Sequence, residues 1–401
     1  MEELWVKIKK ELVSIDKEVF TNLLDIPYVQ EYAAYQKAIS SNTIKLRELK
    51  ELAERAEVPY PLLFAPLDVV QKQIDDNEQE LEKKMATKDE IILNFRGRMK
   101  NGDIALIVKD IGRKQMFLKN HVLKKHDENL YVGIINKWIS EGVRTDQIAT
   151  KIREYFLIDL LEFRKYSKEK ALMYLRDKIE SKNIFISVSS FRYMPQVISR
   201  EIALSGFGVK DKHFPFIFLN TREGDEKPLI IESEGRQIFT LISMLVSIGQ
   251  NIFVLSSKKG QTKAQENKKI YSLAAEVLIP NNELKEVQLE NLEKLKEKAH
   301  FFKVTPRMLL TCLLDAKRIE LVNYQRFVST LDAELSKMGK QQGRLAKPTT
   351  GYRKYNGEKF SREVVKAFNA GNVSKEDFKK IVFRKGNVSE VLFKDYLNTF
   401  K

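Results

Sequence analysis

In the run FTLISMLVSIG (239–249), Ser243, Met244 and Ser247 occupy the spacing at which a helix can do metal chemistry. Residues four apart share one helix face. Histidines at the outer two positions can therefore hold one zinc ion, and a glutamate beside the first activates the metal's water. Here the ligand positions are serines, whose hydroxyls are poor zinc ligands, and the base position is Met244, which neither gives nor takes a proton. The four histidines do not replace them: His121 and His126 lie five apart in a charged segment, and His213 and His300 stand alone. No zinc or other cofactor is expected. Cys312 is the single cysteine, which excludes a disulfide framework and a cysteine-based zinc cluster, and it reads as a buried thiol in an apolar helix. Other constellations are weaker. KKGQTK (258–263) lacks the spacing of a phosphate loop, TREGDE (221–226) reads as a solvated turn, and a serine nucleophile would need a histidine base to which nothing in the sequence points.

The elements that would position these residues follow from pattern. At 401 residues, 43% apolar and 10% aromatic, the chain can bury real cores and is long enough for two or three domains. Residues 1–65 read as short helices, with Asn42 or Thr43 capping IKLRELKELAERAEV, which puts Leu46, Leu49, Ala53 and Ala56 on one face before VPYPLLFAPL ends it. Residues 66–175 read as a helical, charged domain, in which QKQIDDNEQELEKKMATKDE is an exposed helix or a connector. NIFISVSSF (183–191) and FPFIFLN (214–220) are rich in β-branched and aromatic residues and read as strands. Gln237 to Ser257 carries no charge, yet Thr240, Ser243, Ser247, Gln250 and Asn251 interrupt it, so a buried helix is expected rather than a membrane span. The charged N-terminus lacks a signal-peptide core, and a cytoplasmic protein without membrane contact is expected. GKQQGRLAKPTTGYRKYNGEKF (339–360) reads as a mobile linker. SREVVKAFNAGNVSKEDFKKIVF beyond it reads as a helix, a Gly-containing turn and a helix capped by Ser374.

The order of these segments resembles the ImmA/IrrE family of zinc metallopeptidases in its long form. IKLRELKELAERAEVPYPLLFAP is similar to a degenerate helix-turn-helix segment leading into a "vPlgyLF" turn, and LNFRGR (93–98) to a "DFR" element. NIFISV and FPFIFLNTRE resemble the two strands before the active-site helix, RQIFTLISMLVS resembles "rFTLaHELgH", and IYSLAAEVLIP resembles "aNrfAAelLmP". The run from VTPRMLLTCLLDAKRIE to FSREVVKAFNAGNVSKEDF has the pattern of the family's tail. The resemblance implies an α+β, mainly helical fold: a zincin-like core at 176–335 with trailing helices, a helix-turn-helix-like segment at 1–65, a helical domain at 66–175, and a basic helical tail at 336–401. It places the family's two histidines on Ser243 and Ser247, its glutamate on Met244 and its third ligand on Asn267, with Glu266 next door. Phe239, Thr240, Leu241 and the Ala274–Ala275–Glu276 packing segment are kept. What this implies is a pseudo-peptidase: a non-catalytic regulatory or binding protein of a mobile element, prophage, toxin–antitoxin or phage-defence system, holding a repressor, toxin or phage protein as partner. Two alternatives from other classes are a hydrolase or nuclease with chemistry outside this helix, and a structural protein of a phage-related assembly.

Nucleic acid is the second candidate partner. The net charge is +15, and residues 336–401 hold 16 Lys and Arg against 6 Asp and Glu, a balance that attracts polyanions. Lys347, Arg353, Lys354, Lys359, Arg362 and Lys366, interleaved with Tyr352 and Tyr355, are expected to meet phosphates and stack on bases. The helix after Asn42 is a poorer candidate, because Glu48, Glu51, Glu54 and Glu57 offset Lys45, Arg47, Lys50 and Arg55.

Overall fold

The computed structural model describes residues 2–85, 104–122, 128–198, 204–221, 233–253, 261–337 and 346–400. The chain is mainly helical with two small three-stranded mixed sheets, an α+β arrangement. It divides into two compact units. The first contains 2–85, 104–113 and 194–198, and the second contains the remaining described residues.

In the first unit, β1 (Glu3–Ile8) and β2 (Glu11–Asp16) form a hairpin, and β3 (Thr43–Lys45) joins β1 in parallel, giving the order β2-β1-β3. Alternation sorts the strand residues: Leu4, Val6, Ile15 and Ile44 turn inward onto Val19, Phe20 and Leu23 of the helix Lys17–Leu23 and onto Leu49, Leu52 and Ala53 of the helix Leu46–Arg55. The helical reading of residues 1–65 is therefore corrected at three strands. Each offers only one or two inward apolar residues among many lysines and glutamates, too short a run for a period of two to stand out. Thr43 does not cap a helix, because it pairs with Trp5 of β1, and Asn42 (φ 49°) ends the preceding helix instead. The helix starts at Leu46, where the Glu48 carboxylate accepts the Lys45 N–H at 3.2 Å. The two prolines of VPYPLLF sit at a short 3-10 turn, Tyr60–Phe64.

In the second unit the sheet order is β4-β6-β5, with β4 (Phe185–Val188) parallel and β5 (Gly206–Val209) antiparallel to the central β6 (Phe216–Leu219). The two expected strands are present. The third, GFGV, gives a weak signal because glycine has low strand propensity. All three strands are buried along their whole length, the pattern of a sheet covered on both faces. On one face Ile186, Val188, Ile217 and Leu219 join a core with the helices Lys168–Glu180, Glu234–Gly249 and Gln261–Leu278. On the other the rings of Phe185 and Phe216 stack at 5.2 Å, and Phe360 meets Phe216 edge-on at 6.3 Å.

Phe360 belongs to four C-terminal helices, Pro348–Asn356, Glu358–Asn369, Lys375–Phe383 and Glu390–Asn398. The turn at Gly371 and the Ser374 cap, whose Oγ accepts the Asp377 N–H at 3.0 Å, are as the sequence indicates. The mobile-linker expectation is corrected over 348–360: Pro348 opens a helix that seats Tyr355 in the interior, and 338–345 lie outside the described residues. Among the described residues no helix is long and apolar enough to cross a membrane.

Candidate functional site

Residues 237–249 of the uncharged run lie in the helix Glu234–Gly249, in the core of its unit, and 254–257 lie outside the described residues. It lies against β5 through small residues: a Cβ on Gly206 would fall 3.1 Å from the Thr240 methyl and 2.6 Å from Phe218 O. Ser243 and Ser247 follow Thr240 on the same helical face. Both are buried, and Met244 is buried beside them. The Ser243 hydroxyl donates to Phe239 O at 2.8 Å and the Ser247 hydroxyl donates to Ser243 O at 3.0 Å. Each hydroxyl proton is thus held by the helix's own backbone, in the back-bonded geometry that lets serine sit inside a helix. Two such hydroxyls and a thioether, closed off from solvent, do not suit a zinc ion, which is held by thiolate, imidazole or carboxylate. The side chain of the fourth position, Asn267, lies outside the described residues, as does LNFRGR (93–98).

The neighbouring segments have packing roles. Phe239 stacks on Tyr271 of the helix Gln261–Leu278 at 5.8 Å, and Ala274 is buried. Glu276 closes that helix, its carboxylate accepting the Asn281 N–H at 3.0 Å. Burial raises its pKa, and Arg153, whose Nη1 donates to Glu276 O at 2.9 Å, acts in the opposite direction. Of the histidines, His121 lies on the ring of Phe117 at 4.6 Å, His213 follows a turn in which Asp211 accepts its backbone N–H at 2.9 Å, His300 is exposed at a helix end, and His126 is outside the described residues. No group of three or more His, Cys, Asp or Glu among the described residues could hold a metal. Burial pushes the Cys312 thiol up to about 12, which leaves it unreactive.

Most of the basic residues of the tail have partners within the fold. Tyr355 is buried, with the Lys114 ammonium 3.9 Å from its ring centroid, so it cannot stack on a base, and that expectation is corrected. Tyr352 packs edge-on against Tyr193 and Phe383, at 5.0 and 4.9 Å. Lys359 donates to Asn183 Oδ1 at 2.7 Å and to the backbone carbonyl of Glu180, and burial lowers its pKa. Arg353 and Arg362 both pair with Glu358, at 3.4 and 2.8 Å, and Lys366 pairs with Glu363 at 2.9 Å. Lys347 is exposed at a helix start, and Lys354 is half-buried. Charge counting along the sequence missed this because it does not show which acids fold back onto which bases.

Among the buried charged residues not singled out from the sequence are Lys114 and Glu180. Glu180 sits on an ordinary amphipathic helix, and only its burial beside β4 marks it. Its Oε1 accepts the Ile186 N–H at 3.2 Å. Burial raises its pKa from the ordinary 4.5 to about 7, against the pull of Arg176. The folded chain thus keeps a proton that the unfolded chain releases, so the contribution of Glu180 to stability is most favourable below pH 4.5, falls between 4.5 and about 7, and stays lower above that. Glu180→Gln keeps the acceptor and removes the loss. Urea unfolding is expected to show the variant more stable than the parent at pH 8, by on the order of 3 kcal/mol, and close to it at pH 5.

Comparison with protein-family models, with curated proteins and with solved structures found no match to this chain.

Proposed function

We propose that this chain is a non-catalytic binding protein built on a degenerate ImmA/IrrE-like, zincin-like domain, which holds a protein partner such as a repressor, a toxin or a phage protein without cleaving it. The observation that carries the reading is the state of the Ser243–Ser247 helix face. Its hydroxyls are bonded to Phe239 O and Ser243 O, and Met244 is buried between them, where the resembling family has two imidazoles and a carboxylate. A peptidase that loses its metal and base in this way keeps a fold able to receive a peptide segment along a strand, and what was a substrate becomes a partner. The kept Phe239, Leu241 and Ala274–Ala275–Glu276 segments, which serve packing, support the same reading. A mobile-element, phage-defence or toxin–antitoxin setting and a cytoplasmic location belong to this proposal.

The test is capture of a partner by the full chain, reconstitution with the purified partner, and intact-mass measurement over hours. The reading expects a stable complex from which the partner returns at full length. Scission of the partner at one peptide bond would overturn it and bring back a hydrolase with relocated chemistry.

A further inference from the structure

The outward face of the first unit's sheet combines an open aromatic ring with free lysines. Register places Trp5 on the central strand between Ser14 of β2 and Thr43 of β3, and in the next row Lys7 between Leu12 and Lys45. The two small hydroxyl residues leave the indole uncovered. Trp5 is 38% exposed and Leu12 56%, although both lie in regular strands. The indole has no ring, cation or hydrogen-bond partner among the described residues, and Lys7, Lys9, Lys10 and Lys45 are exposed with no ion pair there. Lys9 and Lys10 form the hairpin turn directly beyond Lys7. Two acids share this face: Glu3 and Asp16 pair in the row on the other side of Trp5 from Lys7, with Asp16 engaged in capping the Lys17–Leu23 helix. Glu48 accepts the Lys45 backbone N–H, and Glu11 stands opposite Ile8 at the other parity.

We propose that this face binds single-stranded nucleic acid, with a base stacked on Trp5 and the backbone drawn along Lys7, Lys45, Lys9 and Lys10. A π-face for the base beside unpaired cations for the phosphates is the combination that single strands need and that a duplex, whose bases are already stacked, does not use. The tail has the larger formal charge. Its arginines and lysines at 353, 362, 366, 375, 379 and 380 are nevertheless tied to carboxylates, whereas the lysines of the sheet are not. This proposal does not depend on the identity of the protein partner.

The test is fluorescence anisotropy of the full chain with labelled oligo-dT and oligo-U of about 20 nucleotides, at several salt concentrations. Trp5→Ala is expected to weaken binding roughly tenfold or more with the salt slope unchanged, and Trp5→Phe to retain most of the affinity. Lys7→Gln/Lys45→Gln is expected to reduce the slope of log affinity against log salt by about 1.4. Arg362→Gln/Lys366→Gln should bind as the parent does. Trp5 is on the solvent side, so these variants should fold, with far-UV circular dichroism as the check. Any of three results overturns the proposal: no binding of either oligomer at low salt, Trp5→Ala binding like the parent, or polyglutamate or a duplex of equal length binding as tightly as the single strand. The polyglutamate result would reassign the face to an acidic protein.

Discussion

Gly357→Ala is expected to release the four C-terminal helices from β4. Gly357 lies between the helices Pro348–Asn356 and Glu358–Asn369 at φ 88° and ψ 149°, a region that only glycine occupies without strain. An added Cβ there would also fall 2.2 Å from Ile186 O, a backbone atom of β4 that pairing with β6 holds in place. Neither partner can yield by a side-chain rotation. Strain and clash together are expected to cost about 4 kcal/mol or more. The loss should be local at first, because the helices also depend on contacts that the glycine registers: Ser187 Oγ to Tyr355 O, and Lys359 to Glu180 O and Asn183 Oδ1 at 2.7 Å. Limited proteolysis should cut the variant near 346–360 while the parent is spared, and hydrogen exchange should show β4 amides losing protection. If both proteins resist alike, the seating of these helices on β4 is wrong.

The second large effect concerns the helix Glu234–Gly249. Ser243→His is expected to destabilise the chain by about 3–5 kcal/mol, because it places an imidazole in a packed interior with no room and no partner for both ring nitrogens. Ser243→Ala is expected to cost about 1 kcal/mol or less, since the carbonyl that Ser243 engages, Phe239 O, also serves the helix ladder. Urea unfolding of the two variants separates a closed core from a retained cleft. A cleft would accept histidine with little loss, and a well-folded Ser243→His protein would show an open cavity beside this helix.

The reach of the sequence can be judged from individual elements. β4 and β6 were legible because NIFISV and FPFIFL are continuous apolar runs, the signature of a strand buried on both faces. The Ser374 cap and the Gly371 turn were legible because their chemistry is local. The strands of the first unit were not, since Leu4 and Val6 carry an alternation of two residues inside a stretch whose charges suit an exposed helix equally well. At the candidate site, the absence of ligand chemistry at Ser243, Met244 and Ser247 was plain from residue type, and the structure adds where the two hydroxyl protons go. The tail was misread at Tyr355 for a long-range reason: Lys114, 241 positions earlier in the chain, comes to lie on its ring. The setting of Trp5 depends likewise on long-range pairing, since Ser14 and Thr43 are its neighbours only through sheet register.

The proposed pseudo-peptidase reading stands on whether the helix Glu234–Gly249 holds zinc. Elemental mass spectrometry of the purified full chain, after equilibration with zinc and gel filtration, tests it most directly. The account predicts less than about a tenth of a zinc per chain, because serine hydroxyls bonded to backbone carbonyls do not compete for the ion. Zinc near one equivalent per chain would contradict it.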